Sequence, residues 1–168
     1  MKHRIFILSV VSAALIIFGC GQEGLVSPQL TQSDQGTVLA KATVTSFTAT
    51  ADFTAGPTGG TFTVTNGVLH IRGQMLQGPI TGGLGVGTAA VVNDADIFLA
   101  TNSGPGRGTL TVVTGSVTYQ GRFDGQFNGP VFSGHFQAQG TDGSKINGSF
   151  TDQAVDNMFV LTGRLVNP

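Results

Sequence analysis

Residues 117–150 read VTYQGRFDGQFNGPVFSGHFQAQGTDGSKINGSF, and this stretch decides the fold because glycine and phenylalanine recur in it two positions apart. Residues two apart on a β-strand face the same side of the sheet, so one face alternates bare backbone with an aromatic ring. The same step occurs earlier, at Gly60-x-Phe62. The four later steps are Gly121-x-Phe123, Gly125-x-Phe127, Gly134-x-Phe136 and Gly148-x-Phe150.

The glycine and phenylalanine face is expected to form the core. A strongly coiled sheet needs bare backbone where it bends, and a neighbouring aromatic side chain can cover the glycine. The opposite face, from Gln120 to Ser149, is polar and is expected to meet water. In the alternative, a wide barrel has the polar face in its lumen and the aromatic face on another subunit. The predicted core residues are Phe62, Gly121, Phe123, Gly125, Phe127, Gly134, Phe136, Gly148 and Phe150.

From Ala42 onwards the chain alternates as strands do and shows no eleven-residue stretch of helical spacing. Asn66-Gly67 is typical of a two-residue hairpin turn, and Asn128-Gly129-Pro130 and Asp142-Gly143 separate later runs. Residues 104–108, rich in glycine, are interpreted as a loop. Short turns favour an all-β fold, a single antiparallel β-barrel of eight to nine strands, with a two-sheet β-sandwich as the alternative. The predicted strands are 43–54, 60–65, 68–76, 84–93, 108–114, 117–127, 131–140, 145–151 and 158–166.

Composition excludes several classes of protein. The 168 residues carry 8 Lys and Arg against 9 Asp and Glu, a net charge of −1, so no nucleic-acid partner is expected. The chain is 40% hydrophobic with 26 glycines, too apolar for a disordered acidic tail and without a collagen period. A folded glycine-rich domain is the remaining interpretation.

The first twenty residues predict export and a lipid anchor. Lys2, His3 and Arg4 precede an apolar run from Ile5 to Phe18, which is too short to span a bilayer and is typical of a signal peptide. The only cysteine, Cys20, follows it directly.

The segment Ile17-Phe18-Gly19-Cys20 resembles the lipobox of bacterial lipoproteins, apart from Phe18. The resemblance implies removal of residues 1–19 and acylation of Cys20. Residues 20–41 then form the lipidated cysteine and a flexible tether, and residues 42–168 form the folded domain. Gly21 at the next position implies an outer-membrane location within the cell envelope, on either its periplasmic or its surface face.

No catalytic, cofactor or metal motif stands out. Only His70 and His135 remain after removal of the leader, and no His or Cys cluster has zinc spacing. The glycine-rich segments do not open a helix as phosphate loops do, and there is no Gly-x-Ser-x-Gly elbow. We therefore expect no cofactor and no metal. The candidate ligand contacts are Tyr119, Arg122 and His135.

From about Gly60 the chain resembles small exported bacterial proteins of uncharacterised role. The segments concerned are GGTFTVTNGVLHIRGQ, GRFDGQFNGPVFSGHFQAQGT, INGSF and LTGRLVNP. In their glycine-rich and aromatic strands they are more distantly similar to the allene oxide cyclase and dirigent type of β-barrel, a calycin-like architecture. That resemblance implies a barrel with an apolar or mixed lumen that can hold a small hydrophobic molecule, often in a homo-oligomer.

Three functions follow as hypotheses. The first is a non-enzymatic, membrane-anchored envelope lipoprotein that binds a small apolar ligand or acts as a scaffold. The second is a cyclase-like or isomerase-like enzyme that shields its substrate in the lumen. The third is a surface adhesin that acts through the polar strand face. An enzyme needs convergent ionisable groups in a pocket, which separates the second hypothesis from the others.

Overall fold

The computed structural model describes residues 41–153 and 156–168, and these residues are all-β. Among them none is helical, and so none forms a helix that could cross a membrane. They form nine strands: β1 Thr43–Asp52, β2 Thr61–Thr65, β3 Val68–Gly82, β4 Gly87–Phe98, β5 Ser103–Thr114, β6 Val117–Asn128, β7 Val131–Gly140, β8 Lys145–Gln153 and β9 Met158–Asn167.

One antiparallel sheet contains all nine strands, in the order β1-β9-β8-β7-β6-β5-β4-β3-β2. From β2 to β9 each strand pairs with the next along the chain, as the short turns predict. The sheet closes in a ring because β1 pairs with β9 along its length and also with β3, through Ala49–Ala51 opposite Ile80–Gly82. A single continuous sheet replaces the two separate sheets of the sandwich alternative.

The hairpin turn between β2 and β3 follows the predicted chemistry. Asn66 and Gly67 have φ angles of 52° and 77°, the left-handed conformation that a two-residue turn needs at both central positions. The turn places Thr65 opposite Val68 and so sets the register of the whole hairpin.

The interior of the closed sheet is filled with aromatic and aliphatic side chains. Phe132 is 1% exposed and lies at the centre of an aromatic cluster, with ring centroids 4.1 Å from Phe127 and 5.0 Å from Phe150. An interior cavity of about 20 Å³ lies among the core side chains. That volume holds about one water molecule. The main cluster of buried core residues comprises Phe47, Ala49, Ala51, Phe53, Leu76, Ile80, Ala89, Val91, Leu110, Val112, Tyr119, Phe123, Phe132, Phe136, Ala138, Ile146, Phe150, Phe159 and Leu161.

Glycines on the inner face make room for these rings and for neighbouring strands. A Cβ atom built on Gly125 would lie 2.9 Å from ring carbons of both Phe132 and Phe150. One on Gly134 would overlap the carbonyl of Asp124 on the adjacent strand. The repeated Gly-x-Phe step is therefore a packing device, because the absence of one side chain is what admits the neighbouring ring or backbone.

Phe62 is a correction to the predicted core. Its side chain is 51% exposed, and every residue of β2 is exposed. The Gly-x-Phe pattern is present there, but β2 lies at the end of the strand order, with a neighbouring strand on one side only. Phe123, Phe136 and Phe150 are by contrast 4–5% exposed.

Three strands are longer than predicted or shifted, for identifiable reasons. A β-bulge between Ile71 and Gln74 interrupts the alternation of β3, which nevertheless continues to Gly82. Strand β4 runs on to Phe98 because its acidic residues face outwards while Ala95 and Ile97 face inwards. Residues 104–108 belong to β5 and are not a loop, since Gly104 and Gly106 are buried on the inner face.

Four polar side chains are buried among the described residues: Asn93, Thr114, Ser144 and Asp152. Asn93 and Asp152 are each 5% exposed, and one oxygen of each has no hydrogen-bond partner among the described residues. Burial raises the pKa of Asp152 to about 6, and the charge of Asp156 acts in the same direction. Desolvation penalises the carboxylate, so the folded state favours the protonated acid.

Replacement of Gly134 by alanine tests the packing argument. We expect Gly134→Ala to lower the free energy of unfolding by roughly 1–3 kcal/mol, because the new methyl group overlaps backbone that cannot move aside. Gly59→Ala is the matched control: its Cβ would meet only the Met75 sulfur, at 3.9 Å. A surface change of this kind should stay within about 0.5 kcal/mol. Equal stabilities of the two variants in denaturant titrations would contradict the close approach.

The buried carboxyl predicts a dependence of stability on pH. The pKa of Asp152 is raised in the folded state, to about 6, so the folded chain holds a proton that the unfolded chain has already lost above about pH 4. The contribution of Asp152 to the free energy of unfolding therefore falls as pH rises from about 4 to 6, by about 3 kcal/mol, and is level well above that.

Asp152→Asn should remove this slope and raise stability at pH 7 while leaving stability at pH 4 nearly unchanged. The control is Asp124→Asn, at an exposed position. Denaturant unfolding at a series of pH values measures the effect. An unchanged slope in Asp152→Asn would show that Asp152 is hydrated in the folded chain.

Candidate functional site

A groove of about 860 Å³ crosses the outer face of the sheet. It crosses the strands from β3 to β8. We call it the outer groove. Its lining residues are Arg72, Asp94, Ala95, Asp96, Pro105, Gly106, Arg107, Asp124, Gly125, Gln126, Ser133, Gly134, His135, Ser149, Phe150 and Thr151.

One side of the outer groove is a row of polar side chains produced by the strand register. Each member is the direct cross-strand partner of the next. Neighbouring strands are about 4.8 Å apart, so the five positions span about 19 Å. Acidic and basic groups alternate along the first part of it. We call it the charged row: Asp94, Arg107, Asp124, His135 and Ser149.

The other side of the outer groove carries smaller and uncharged groups. A second row lies two residues along each strand from the charged row, and each of its members is also the cross-strand partner of the next. This row consists of Pro105, Gln126, Ser133 and Thr151. Between the two rows, the inward-facing Gly106, Gly125 and Gly134 are successive register partners. The floor of the groove is therefore mainly peptide backbone, with hydrogen-bonding side chains along both sides.

Hydrogen bonds fix the end of the groove at β3 and β4. Oδ1 of Asp96 lies 2.6 Å from Nδ1 of His70 and accepts a hydrogen bond from the Arg72 guanidinium at 2.6 Å. These contacts with His70 and then Arg72 lower the pKa of Asp96 below its ordinary value. Arg72 also donates to the carbonyl of Ala95 at 2.7 Å.

The β-bulge in β3 adds a contact at the same end. Gly73, with a φ angle of 61°, donates its backbone N–H to Oδ1 of Asp94 at 2.7 Å. Only a residue that tolerates positive φ fits this position readily. The bulge thus holds the first member of the charged row in place.

Of the three side chains predicted to contact a ligand, the structure separates Tyr119 from Arg122 and His135. Tyr119 faces inwards, is 5% exposed, and its hydroxyl accepts a hydrogen bond from Ser144 at 3.4 Å. Arg122 and His135 are exposed on the outer face of neighbouring strands. The outer pair and Tyr119 therefore cannot converge on one ligand.

Of the outer pair, only His135 lines the outer groove. Arg122 is the register partner of Gln137. With the Gln137 amide oxygen turned towards Arg122, that oxygen accepts from Nε and Nη2 at 2.8 Å each. Arg122 is thereby held by a neighbour on its own face, outside the groove.

Sequence reasoning missed Arg107 as part of a site because 104–108 was interpreted as a loop. Asp94 lies one residue beyond the predicted strand 84–93 and so was left out as well. The turn at Gly115-Ser116 carries the missing signal, because counting residue pairs back from it brings Arg107 opposite Asp124. Cross-strand counting of this kind would have assembled the charged row.

Residues 1–40 and 154–155 lie outside the described residues, and with them the predicted signal peptide, Cys20 and most of the tether. Within residues 41–153 and 156–168, no three His, Cys, Asp or Glu side chains come together as metal ligands. The arrangement offers hydrogen bonding and charge along a groove. Comparison with known proteins finds no matching family model, no matching curated protein and no matching solved structure.

Proposed function

We propose that this chain is a lipid-anchored protein of the bacterial cell envelope whose folded part is a solid β-barrel that binds or scaffolds through its outer face. The export and anchoring part of the proposal is supported by the leader and by Cys20. The barrel part is supported by the antiparallel sheet that closes through β1 and β3. The activity is binding, without a chemical step.

The observation that carries the proposal is the contrast between inside and outside. The interior cavity measures about 20 Å³, whereas the outer groove measures about 860 Å³. Sites for drug-sized ligands occupy about 300–1,000 Å³. The groove on the outer face is therefore large enough for a ligand. The interior cavity is too small for one, which disfavours an apolar ligand held in a lumen.

The separation of the polar candidates weighs against the cyclase-like alternative. A shielded reaction needs ionisable groups that converge in a concave pocket. Tyr119 lies in the packed interior, while Arg122 and His135 lie on the water side. A binding or scaffold role needs only the hydrogen-bonding surface that the groove presents.

The chemistry of the groove favours a ligand rich in hydroxyl groups and without strong net charge. Along the charged row, hydrogen-bond acceptors and donors alternate, as Asp94, Arg107 and Asp124 follow one another. Because their charges alternate in sign, the row has no large area of positive or negative potential. The groove is open along about 19 Å, which suits an extended polymer. An envelope polysaccharide strand has these properties, and adhesion to a glycan surface is the second candidate role.

Binding to polysaccharide tests the groove. We expect the chain to be retained by insoluble envelope polysaccharide in a sedimentation assay, and Arg107→Ala to weaken retention at least fivefold because a central donor of the charged row is lost. Arg164→Ala is the matched control, since Arg164 is also exposed on a strand but does not line the outer groove. Equal retention of the two variants, or no retention of the unsubstituted chain, would contradict the proposed role of the groove.

Lipid attachment at Cys20 is a separate prediction. Cys20→Ala should abolish incorporation of a labelled fatty acid and shift the chain out of the processed membrane fraction, because the acylated sulfur is gone. Several acyl chains are needed for durable anchoring, at about 0.8 kcal/mol per buried methylene. Ser27→Ala, in the tether, should leave labelling unchanged. A labelled membrane form of Cys20→Ala would refute the anchor.

A further inference from the structure

Strand β2 presents an open sheet edge. It pairs with β3 from Thr61 opposite Arg72 to Thr65 opposite Val68, and no described strand pairs with its other side. All five of its residues are exposed. The backbone N–H and C=O groups on that side are therefore available to a further strand.

This edge lacks the features that usually prevent strands from pairing with other molecules. Such features include charged side chains, proline, bulges and covering loops. Residues 61–65 read TFTVT, with no charge and no proline, and threonine, phenylalanine and valine all favour the strand conformation. Its shortness is the one protective feature it retains.

We propose that two copies of this chain pair edge to edge through β2, antiparallel, about a twofold axis at Thr63. The segment is nearly palindromic, so the pairing is self-complementary as a twofold interface requires. Thr61 then lies opposite Thr65 of the partner subunit, and Phe62 opposite the partner's Val64. Without charge on the strand, no like-charge repulsion opposes this register.

The apolar side chains of β2 give the pairing a hydrophobic contribution. Phe62 is 51% and Val64 61% exposed, and their register partners Ile71 and Leu69 place them on the inner face of the sheet. Ile71 belongs to a second small core cluster with Ala95 and Ile97. Pairing would extend that apolar face across both copies and cover Phe62 and Val64 from the side.

The size of the contact sets the expected strength. Five residues from each copy are few beside the roughly 20–30 residues on each side of a stable interface. The dimer is therefore reversible. A second copy is favoured over a charged partner because the edge is neutral and matches itself. The inference does not depend on lipid attachment or on the outer groove.

Disulfide trapping tests the register. In the full chain, Thr63→Cys should form a disulfide-linked dimer under mild oxidation, at least tenfold above the unsubstituted chain, whose only cysteine is Cys20. Directly opposed residues of an antiparallel pair have Cβ atoms about 4.5–5.5 Å apart, within reach of a disulfide after small adjustment.

Two matched variants make the trapping specific. Phe62→Cys should not link to itself, because the proposed register offsets the two copies of residue 62 by two positions. Thr162→Cys is also exposed but lies on β9, whose edges are paired with β1 and β8, and it should stay at background. Linking at 162 equal to that at 63, or none at 63, would overturn the proposal. Strong self-linking at 62 would overturn the antiparallel register.

A measurement without cysteine chemistry completes the test. Light scattering of the full chain in detergent should show a concentration-dependent mass that approaches twice that of one chain. Thr63→Lys should move the midpoint of the monomer–dimer transition to at least tenfold higher concentration, because two lysines would meet on the twofold axis. Thr162→Lys should leave that midpoint unchanged. Matching melting temperatures would show that Thr63→Lys still folds. A mass of one chain at all concentrations would overturn the proposal.

Discussion

The structure depends on the packing of phenylalanine rings against glycine backbone inside a closed sheet. A sheet whose strands β1 and β3 to β9 close into a ring has limited interior width, so a large side chain on one strand requires a small one beside it. Ring carbons of Phe132 and Phe150 lie 2.9 Å from where a Cβ atom of Gly125 would be, and a ring carbon of Phe123 lies 2.7 Å from where that of Gly108 would be. These contacts bring neighbouring strands and rings close enough to fill the interior.

Because the interior is filled, the wide groove lies on the outer face of the sheet. Because strand side chains alternate, the order that builds the aromatic core also places polar residues in register on the opposite face. The pairing that brings Gly106, Gly125 and Gly134 together carries Arg107, Asp124 and His135 beside them as one row. The core and the outer groove are therefore two consequences of the same strand register.

Local features of the fold were predictable from the sequence, and non-local ones were harder to obtain. The Asn66-Gly67 turn is settled by two adjacent residues and their positive φ angles, and the structure has it. The strands β6 to β8 follow from strict alternation and short turns. The length of β3 was missed because the bulge at Gly73 breaks the alternation.

The candidate site was harder to predict than the fold. A row across five strands depends on every hairpin register at once, so a loop wrongly assigned at 104–108 removes Arg107 from it. The inclusion of Phe62 in the core failed for a related reason. Its local pattern equals that of Phe136, which is 4% exposed, and only the strand order shows that nothing lies beyond β2.

Closure of the sheet and the open edge of β2 have one origin in the long strand β3. One edge of β3 is shared, since Ile80–Gly82 pairs with β1 and Val68–Arg72 pairs with β2. Between them, Thr58 donates its N–H to the carbonyl of Met75 at 2.9 Å, so the loop after β1 follows β3 until β2 begins. Strand β1 needs only part of β3 to close the sheet. The rest of that edge is taken by a short hairpin strand, whose own outer edge the closure leaves open.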